Sequence, residues 1–322
     1  MLDGKTILVT GGTGSFGKAF VETVLDRYDP RRLIVFSRDE LKQHEMQRSH
    51  SDPRLRFFLG DVRDVERLRR AFQDVDIVVH AAALKQVPAC EYNPSEAVKT
   101  NIQGSQNIVD AAIDCGVERV LALSTDKAVN PVNLYGATKL CAEKIIVQGN
   151  AYAGGRDTRL ACVRYGNVVG SRGSVVPIFQ EQKKTGKVTV TDERMTRFWL
   201  TLPQGVDIVL KAIESMHGGE VFVPRIPSMS VIDLAKAIAP GCEIVVTGIR
   251  PGEKLHECLI SSDEARHAVK LDDMFVIKPE HQWWGEANWK DGEPLPAGFE
   301  FSSNTNDRWL TELDALRLAK AA

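Results

Sequence analysis

The hydrophobic pattern of the first half of the chain alternates between short apolar runs and longer amphipathic segments. The apolar runs are TILVT (6–10), RLIVFS (32–37), LRFFLGD (55–61), DIVVHAA (76–82) and RVLALST (119–125). The segments between them, such as 18–28, 65–73 and 101–116, have the polar–apolar spacing of helices. Unbroken apolar strands are typical of a parallel sheet that is covered on both faces. The pattern therefore predicts an α/β fold with a doubly wound parallel sheet, which binds ligands at the carboxyl ends of its strands.

The alternation ends after LACVRYGNVVG (160–170). The chain then reads as loop, helix and short strand, returns to a helix over about 198–216, and continues as short strands, a helix at 231–239 and an aromatic tail. We therefore predict a cofactor domain over 1–168 with a return at about 199–220. A smaller C-terminal substrate domain is predicted for 169–198 and 221–322. The aromatic residues of the tail are expected to pack on this smaller domain, with a subunit contact as the alternative; they are Trp283, Trp284, Trp289, Phe299 and Phe301.

Composition and charge narrow the class of partner. The 322 residues carry a net charge of -2, which gives no reason to expect nucleic acid or an anionic membrane as partner. The six cysteines form no CxxC pair and the histidines have no ligand spacing, so no metal site is predicted. No apolar run approaches the roughly 18 residues of a membrane span, and no signal peptide is visible. We expect a cytoplasmic location.

A glycine-rich turn follows the first predicted strand in VTGGTGSFGKAF (9–20) and opens a helix. Gly12, Gly14 and Gly17 fit G-x-G-x-x-G, and Gly11 with the latter two gives a wider form of the motif. In this context such glycines permit a tight turn and bring backbone N–H groups to a pyrophosphate. The turn therefore predicts a dinucleotide site that includes Thr13, Ser15 and Phe16, whereas a glycine turn without a ligand is the plainer alternative.

The end of the second strand bears on which dinucleotide is bound. Ser37 and Arg38 stand where an acid would hold the ribose of NAD, and a serine with an arginine suits a 2′-phosphate. We therefore predict NADP, with NAD as the alternative and Asp39 as a helix cap. A solvated surface charge is the plainer interpretation of Arg38.

The next two strand ends complete the predicted cofactor site. Asp61 and Val62 are expected near the adenine, with a helix cap at Asp61 or Asp64 as the alternative. The small residues Ala81, Ala82 and Ala83 would let the backbone approach the nicotinamide half. Lys85 reaches a substrate phosphate or is solvated.

A tyrosine and a lysine lie four residues apart in YGATK (135–139), so that on a helix they share a face. A lysine ammonium beside Tyr135 favours the phenolate, and we expect Lys139 to lower the pKa of this tyrosine toward neutrality. Alone, this spacing occurs by chance in many helices. Here it follows a strand that ends in Ser124-Thr125.

TGGTGSFG (10–17), HAAA (80–83), ST (124–125) and YGATK (135–139) together resemble the extended short-chain dehydrogenase/reductase family, over the whole chain. The resemblance implies a Rossmann domain in which Tyr135 takes a proton from a sugar hydroxyl and Lys139 orients the cofactor ribose. Thr125-Asp126-Lys127 places a lysine where the retaining nucleotide-sugar 4,6-dehydratases of the family have a glutamate. With SRDELKQ (37–43), HAAALKQVP (80–88) and RPGEKLHE (250–257), the chain is similar to the inverting UDP-N-acetylglucosamine 4,6-dehydratases, lyases of pseudaminic acid biosynthesis.

That resemblance implies a role for each further residue of the site. Lys127 is implied as the base at C5, Asp126 as the acid for water loss, and Thr125 as the hydrogen-bond partner of the C4 oxygen. Substrate contacts are implied for Lys85, Asn167, Arg197, Arg250 and Glu253, the two arginines at the diphosphate and Glu253 at the uridine ribose. A homo-oligomer, hexamer or dimer, is also implied.

Three alternatives stay open from the sequence. A retaining dehydratase, or an enzyme that only epimerises C4 or C5, would use the same fold. A non-catalytic NADP-sensing protein would need the glycine turn but not the Tyr135–Lys139 pair. The plain interpretation of Asp126-Lys127 is a polar loop.

Overall fold

The computed structural model describes residues 1–170, 175–280 and 288–320. Its strands, numbered along the chain, are β1 (Thr6–Thr10), β2 (Arg32–Ser37), β3 (Leu55–Leu59), β4 (Ile77–His80), β5 (Arg119–Leu123), β6 (Arg159–Val163), β7 (Asn167–Val169), β8 (Lys187–Val190), β9 (Thr196–Thr201), β10 (Val221–Pro224), β11 (Ser228–Ser230), β12 (Glu243–Val246), β13 (Cys258–Ile260), β14 (Ala268–Lys270), β15 (Met274–Ile277), β16 (Glu293–Pro294) and β17 (Phe301–Ser302).

Helices connect most of these strands. They are α1 (Ser15–Arg27), α2 (Glu40–Ser49), α3 (Val65–Ala71), α4 (Val87–Tyr92), α5 (Pro94–Ala97), α6 (Gly104–Cys115), α7 (Leu134–Tyr152), α8 (Val175–Lys183), α9 (Leu202–Ser215), α10 (Val231–Ile238), α11 (Ser262–Ala265) and α12 (Glu312–Lys320). A π-helical turn (Val98–Gln103) leads into α6, and a 3₁₀ turn (Asp126–Ala128) follows β5.

One large sheet dominates the fold. Within the described residues its strand order is β16-β14-β15-β10-β6-β5-β4-β1-β2-β3. Its strands β3, β2, β1, β4, β5, β6 and β10 run parallel, and β15, β14 and β16 add an antiparallel edge. The order reverses between β1 and β4, which is where a doubly wound sheet binds its ligand. The predicted doubly wound parallel sheet is confirmed.

Two buried cores underlie the fold. The larger surrounds the big sheet, and a smaller one joins α8, α10 and β8 around Phe179, Trp199 and Leu234. The predicted assignment of all of 221–322 to the smaller domain is wrong for β10, β14, β15 and β16, which pair within the large sheet. Val221–Pro224 is fully buried and pairs with β6 and β15, so it continues the large sheet.

Local signals explain a second difference. The pattern predicted a helix through 198–201, but these residues end strand β9, and α9 begins only at Leu202. Thr201 caps α9 in a reciprocal hydrogen-bonded arrangement with Gln204, and Pro203 occupies the first turn. Both features are typical of a helix start, so the strand must end there.

The described aromatic residues of the tail pack mainly on strands of the large sheet, and Phe301 also contacts Phe198 of β9, in the predicted smaller domain, at 4.9 Å between ring centroids. Trp289 contacts Phe222 of β10 edge-on at 5.7 Å, and Phe299 contacts Phe275 of β15 at 5.6 Å between ring centroids. Phe301 also packs on Phe275, at 5.1 Å. Trp283 and Trp284 lie outside the described residues.

Candidate functional site

A cavity of about 780 Å³ opens at the carboxyl ends of β1, β2, β4 and β5 and extends to the smaller core. Every residue predicted to bind cofactor or substrate lines it. Of the predicted catalytic residues, Thr125, Lys127, Tyr135 and Lys139 line it too, whereas Asp126 is completely buried behind them. The fold therefore brings the separate sequence motifs to one place.

The glycine turn is shaped by close backbone contacts. Gly11 has a positive φ of 65°, and a Cβ there would lie 2.9 Å from the backbone nitrogen of Ala82. A Cβ on Gly17 would lie 2.4 Å from the Cα of Gly12. The turn thus needs glycine both for its conformation and for the packing of α1 against β1. Gly14, at the N-terminus of α1, borders the cavity, so the geometry fits a dinucleotide pyrophosphate.

Ser37 and Arg38 lie beside this turn. The hydroxyl oxygens of Ser37 and Thr13 are 2.9 Å apart, and Arg38 lies 3.8 Å from a carboxylate oxygen of Asp61. Asp39 caps α2 as predicted, by accepting a hydrogen bond from the backbone of Lys42. Burial opposes ionisation of Asp61, but hydrogen bonds from its neighbour Arg63 lower the pKa of Asp61.

The first turn of α7 packs against the 3₁₀ turn that carries Lys127. Asn133 caps α7 by accepting a hydrogen bond from Gly136 N at 2.8 Å, and its side-chain nitrogen donates to Gly252 O at 2.7 Å. A Cβ at Gly136 would lie only 2.1 Å from the carbonyl oxygen of Lys127. The glycine of the YGATK motif therefore allows the two turns to meet.

Asp126, Lys127 and Glu257 form a charged cluster beside this helix. Lys127 Nζ lies 3.0 Å from Asp126 Oδ1 and 3.2 Å from Glu257 Oε1. Thr125 Oγ1 donates to the same Asp126 oxygen at 3.0 Å. Burial alone would lower the pKa of Lys127, but the two carboxylates outweigh burial and raise the pKa above its usual value. Lys127 therefore rests as an ammonium.

The Tyr135–Lys139 pair lies on one face of α7, as the spacing predicts. Burial raises the pKa of Tyr135 to about 12, although the charge of Lys127 and the neighbouring Thr125 hydroxyl act in the opposite direction. Burial also lowers the pKa of Lys139. The expected tyrosine pKa near neutrality is therefore not seen, because burial is the stronger effect and the opposing lysine charge is that of Lys127.

The residues predicted for the nucleotide end occupy the far side of the cavity. Glu253 lies 3.9 Å from Arg250, in a turn whose Gly252 contacts the cap of α7. Arg197 is buried, and its guanidinium donates to the backbone oxygens of Thr196, Leu255 and Lys254 at 2.7 to 3.0 Å. These bonds hold the 254–257 loop in place, a role that the sequence pattern does not indicate.

Tyr165 and Glu257 are two of the cavity residues that the sequence did not point to. Tyr165 follows β6 and is buried close enough to Tyr135 that burial and this neighbour raise its pKa. Glu257 ends the RPGEKLHE motif, whose arginine and first glutamate alone received roles. The position of this acid in a motif that was already assigned to the substrate site could have indicated its role.

Residues 7–279 match the family described as Polysaccharide biosynthesis protein. The chain belongs to this family. Its fold and motifs are those of the extended short-chain dehydrogenases/reductases, as the sequence resemblance implied.

The similarity to individual relatives covers 85% or more of the chain. A Campylobacter jejuni protein named UDP-N-acetylglucosamine 4,6-dehydratase (inverting) is 50% identical, over 99% of this chain and 98% of its own length. A Rickettsia conorii protein named UDP-glucose 4-epimerase is 44% identical, over 85% of this chain and 82% of its own. The X-ray structure of Pen from Bacillus thuringiensis is 37% identical with a TM-score of 0.91, covering 100% of this chain and 99% of that chain.

Within the described ranges, no helix is long and apolar enough to cross a membrane. The same residues contain no group of three or more His, Cys, Asp or Glu side chains that could hold a metal ion.

Proposed function

We propose that this protein is an NADP-dependent lyase that converts UDP-N-acetylglucosamine into UDP-2-acetamido-2,6-dideoxy-β-L-arabino-hex-4-ulose and water, with inversion at C5. The observation that carries the proposal is the Asp126–Lys127–Glu257 cluster, which lies beside the tyrosine helix in the same cavity. Exchange of configuration at C4 needs Tyr135 but no second acid and amine. The near full-length similarity to the Campylobacter jejuni protein supports the same activity.

NADP fits the glycine turn, with Gly11, Gly14 and Gly17 at the pyrophosphate and Ser37 with Arg38 at the 2′-phosphate. Thr13, Ser15 and Phe16 complete the turn. Asp61 and Val62 lie where the adenine is expected, and Ala81, Ala82 and Ala83 where the nicotinamide is expected. The chemistry that NADP supplies when bound is reversible hydride transfer, first at C4 and later at C6 of the sugar.

The side chains of the protein handle the protons. Thr125 holds the C4 oxygen, and Tyr135 takes the proton of the C4 hydroxyl after ionising to the phenolate, which the charge of Lys127 favours. Lys139 orients the cofactor ribose. The C4 ketone acidifies the C5–H bond, and Lys127 removes this proton. Lys127 passes the C5 proton to Asp126, 3.0 Å away, and the C6 hydroxyl leaves as water with the proton delivered by Asp126. Its Oδ2 accepts no hydrogen bond from the described residues and is the oxygen available for that proton.

The nucleotide of the substrate lies toward the smaller core. Lys85, Asn167 and Arg250 are proposed at the diphosphate, and Glu253 at the uridine ribose. Arg197 is also proposed to contact the diphosphate. Its hydrogen bonds to Leu255 O and Lys254 O hold the 254–257 loop in place beside that end of the cavity.

Two observations favour a UDP-sugar C4 epimerase as the second candidate function. The 44% identical protein is named a UDP-glucose 4-epimerase, and Tyr135 with Lys139 would suffice for epimerisation at C4. A retaining dehydratase would use the same oxidation but return the C5 proton on the original face. A non-catalytic NADP sensor is the alternative from another class. The complete proton-handling set beside the cofactor turn argues against that alternative.

We place the reaction in the cytoplasm, at the start of a surface-glycan route to pseudaminic acid, in a homo-oligomer (hexamer or dimer). The resemblance to the inverting dehydratases supports the proposed route and assembly, and the scattered cysteines without a CxxC pair support the proposed location.

Incubation of the purified protein with NADP and UDP-N-acetylglucosamine tests the function. Mass spectrometry should find a product lighter by one water, and NMR coupling constants should show the inverted configuration at C5. An isomer of unchanged mass would establish an epimerase, and retained C5 configuration would establish a retaining dehydratase. Unchanged substrate together with tight NADP binding would establish a sensor.

A further inference from the structure

Glu257 is held rigidly at the inner wall of the cavity. Its backbone nitrogen donates to Ser303 Oγ at 2.9 Å, and its carbonyl oxygen accepts from Ser303 N at 2.8 Å. Ser303 Oγ in turn lies 2.7 Å from the hydroxyl of Thr196 at the start of β9. The backbone of Glu257 is thus fixed from both sides, and its side chain lines the cavity.

The carboxylate of Glu257 is only partly satisfied. The residue is 2% exposed, and its Oε1 lies 3.2 Å from Lys127 Nζ and 3.8 Å from Arg197 Nε. Its Oε2 is buried and has no hydrogen-bond partner among the described side chains and backbone groups. Such an oxygen is costly in a purely structural carboxylate, because buried polar atoms are normally paired.

The proposed reaction requires a change in Lys127. Only a free amine can remove the C5 proton, yet the carboxylates of Asp126 and Glu257 keep Lys127 protonated in the resting site. A proton must therefore leave Nζ before the C5 step. Glu257 is the contacting carboxylate that also lines the cavity, whereas Asp126 lies behind it and is assigned to water loss.

We propose that Glu257 accepts the proton of Lys127, so that the lysine enters the C5 step as a free amine. The inference rests on the proposed function, in which Lys127 is the C5 base. One N–H bond of Lys127 breaks and one O–H bond of Glu257 forms, so the ion pair becomes a neutral amine and a neutral carboxyl. After the C5 step Lys127 is again an ammonium and carries the proton of the sugar. It passes this proton to Asp126, 3.0 Å away, for the departing water, and Glu257 then returns its own proton to Lys127, so the cycle consumes none.

Substrate binding favours this transfer. A sugar that fills the cavity displaces water, and desolvation raises the pKa of a carboxyl and lowers that of an amine. The other titratable or charged groups around the pair are Asp126 on the 3₁₀ turn, Tyr135 on α7, Arg197 on β9 and His256 in the adjoining loop. Burial and nearby arginines lower the pKa of His256, so this histidine is not the receiving base.

The test is the pH profile of deuterium entry at C5 in heavy water, read by NMR, for the holoenzyme and for Glu257→Gln. In the wild type the transfer is internal, so exchange should vary little across neutral pH. In the variant Lys127 must lose its proton to solvent. Exchange should then fall by about 100-fold or more at neutral pH and rise about tenfold per pH unit, while UDP-N-acetylglucosamine binding stays the same.

Two results would overturn the proposal: wild-type exchange in Glu257→Gln, or a uniform loss with an unchanged pH profile, which is the sign of a structural role. Glu243→Gln, which breaks an exposed ion pair with Lys187, is the matched control and should behave as wild type. If Glu257→Gln does not fold, Glu257→Asp is decisive. It should be slower with a flat profile, and a tenfold rise per pH unit would contradict the proposal.

Lys127→Met separates this inference from the function on which it rests. Undiminished exchange in Lys127→Met refutes the base assignment itself. Loss of exchange in Lys127→Met together with normal Glu257→Gln refutes only the role of Glu257.

Discussion

The contact between Gly136 and the Lys127 turn leads to a sharp prediction. In Gly136→Ala the added Cβ would lie 2.1 Å from the carbonyl oxygen of Lys127, whereas real Cβ contacts essentially never fall below 3.0 Å. The turn and the helix must therefore separate by about 0.9 Å, from the difference between these distances. Neither side is a flexible side-chain end, so the shift must move Lys127 relative to Tyr135.

The expected loss follows from that displacement. A misplacement of about 1 Å can cost about 100-fold in rate, which corresponds to about 2.7 kcal/mol of transition-state stabilisation. Turnover of UDP-N-acetylglucosamine by Gly136→Ala should therefore fall by about two orders of magnitude, as measured by mass spectrometry. NADP should still bind, because its pyrophosphate contacts at the glycine turn are distant from Gly136.

Gly205→Ala is the matched control for this experiment. Gly205 also lies near the start of a helix, but the nearest atom to its added Cβ is a Leu200 side-chain carbon at 3.6 Å, an ordinary contact. The substitution should leave turnover unchanged and stabilise α9 by up to about 1 kcal/mol. Wild-type turnover in Gly136→Ala would show that the two turns can separate freely, which would refute the argument.

Three further predictions concern stability and the cofactor. Arg164 is 1% exposed and bonds Glu143 at 2.6 Å and Glu264 at 2.9 Å. Arg164→Met leaves the buried Glu143 carboxylate without its partner and should lower the free energy of unfolding by about 3–5 kcal/mol in denaturant titrations. Adding Glu143→Gln should recover part of this loss, and no recovery would contradict the explanation by an unpaired buried charge. Burial would raise the pKa of Glu264, but Arg164 lowers it below the usual 4.5. The pair therefore stabilises the fold above pH 4.5, and this stabilisation is lost as the pH falls through the folded pKa. The melting temperature of Arg164→Met should accordingly fall less on acidification than that of the wild type. Arg38→Ala should weaken NADP binding about tenfold in calorimetry and leave NAD binding unchanged. An equal loss of affinity for NADP and NAD would argue against a contact between Arg38 and the 2′-phosphate.

Sequence reasoning succeeded where the signal is local. The strands of the first half are continuous apolar runs, and the glycine turn and the Tyr135–Lys139 spacing each lie within a single element or its ends. Parallel strands bring their carboxyl ends to one edge, so the position of the site followed from the alternation alone.

It failed where the structure depends on distant pairing. The strand β10 looks like any short apolar run, and only its pairing with β6 and β15 assigns it to the large sheet. Glu257 lies 130 residues beyond Lys127 in the chain, so no spacing rule could connect them. The tyrosine pKa was misjudged because the sequence shows a neighbouring lysine but not the extent of burial, which has the larger effect.

The most direct test of the central claim is a reaction of UDP-N-acetylglucosamine in heavy water, with the C5 position of the product read by NMR for the wild type and for Lys127→Met. The account predicts a wild-type product that has lost water and carries deuterium at an inverted C5, and no deuterium at C5 in Lys127→Met, whose folding and NADP binding are intact. Deuterium entry at the wild-type rate in that variant would contradict it.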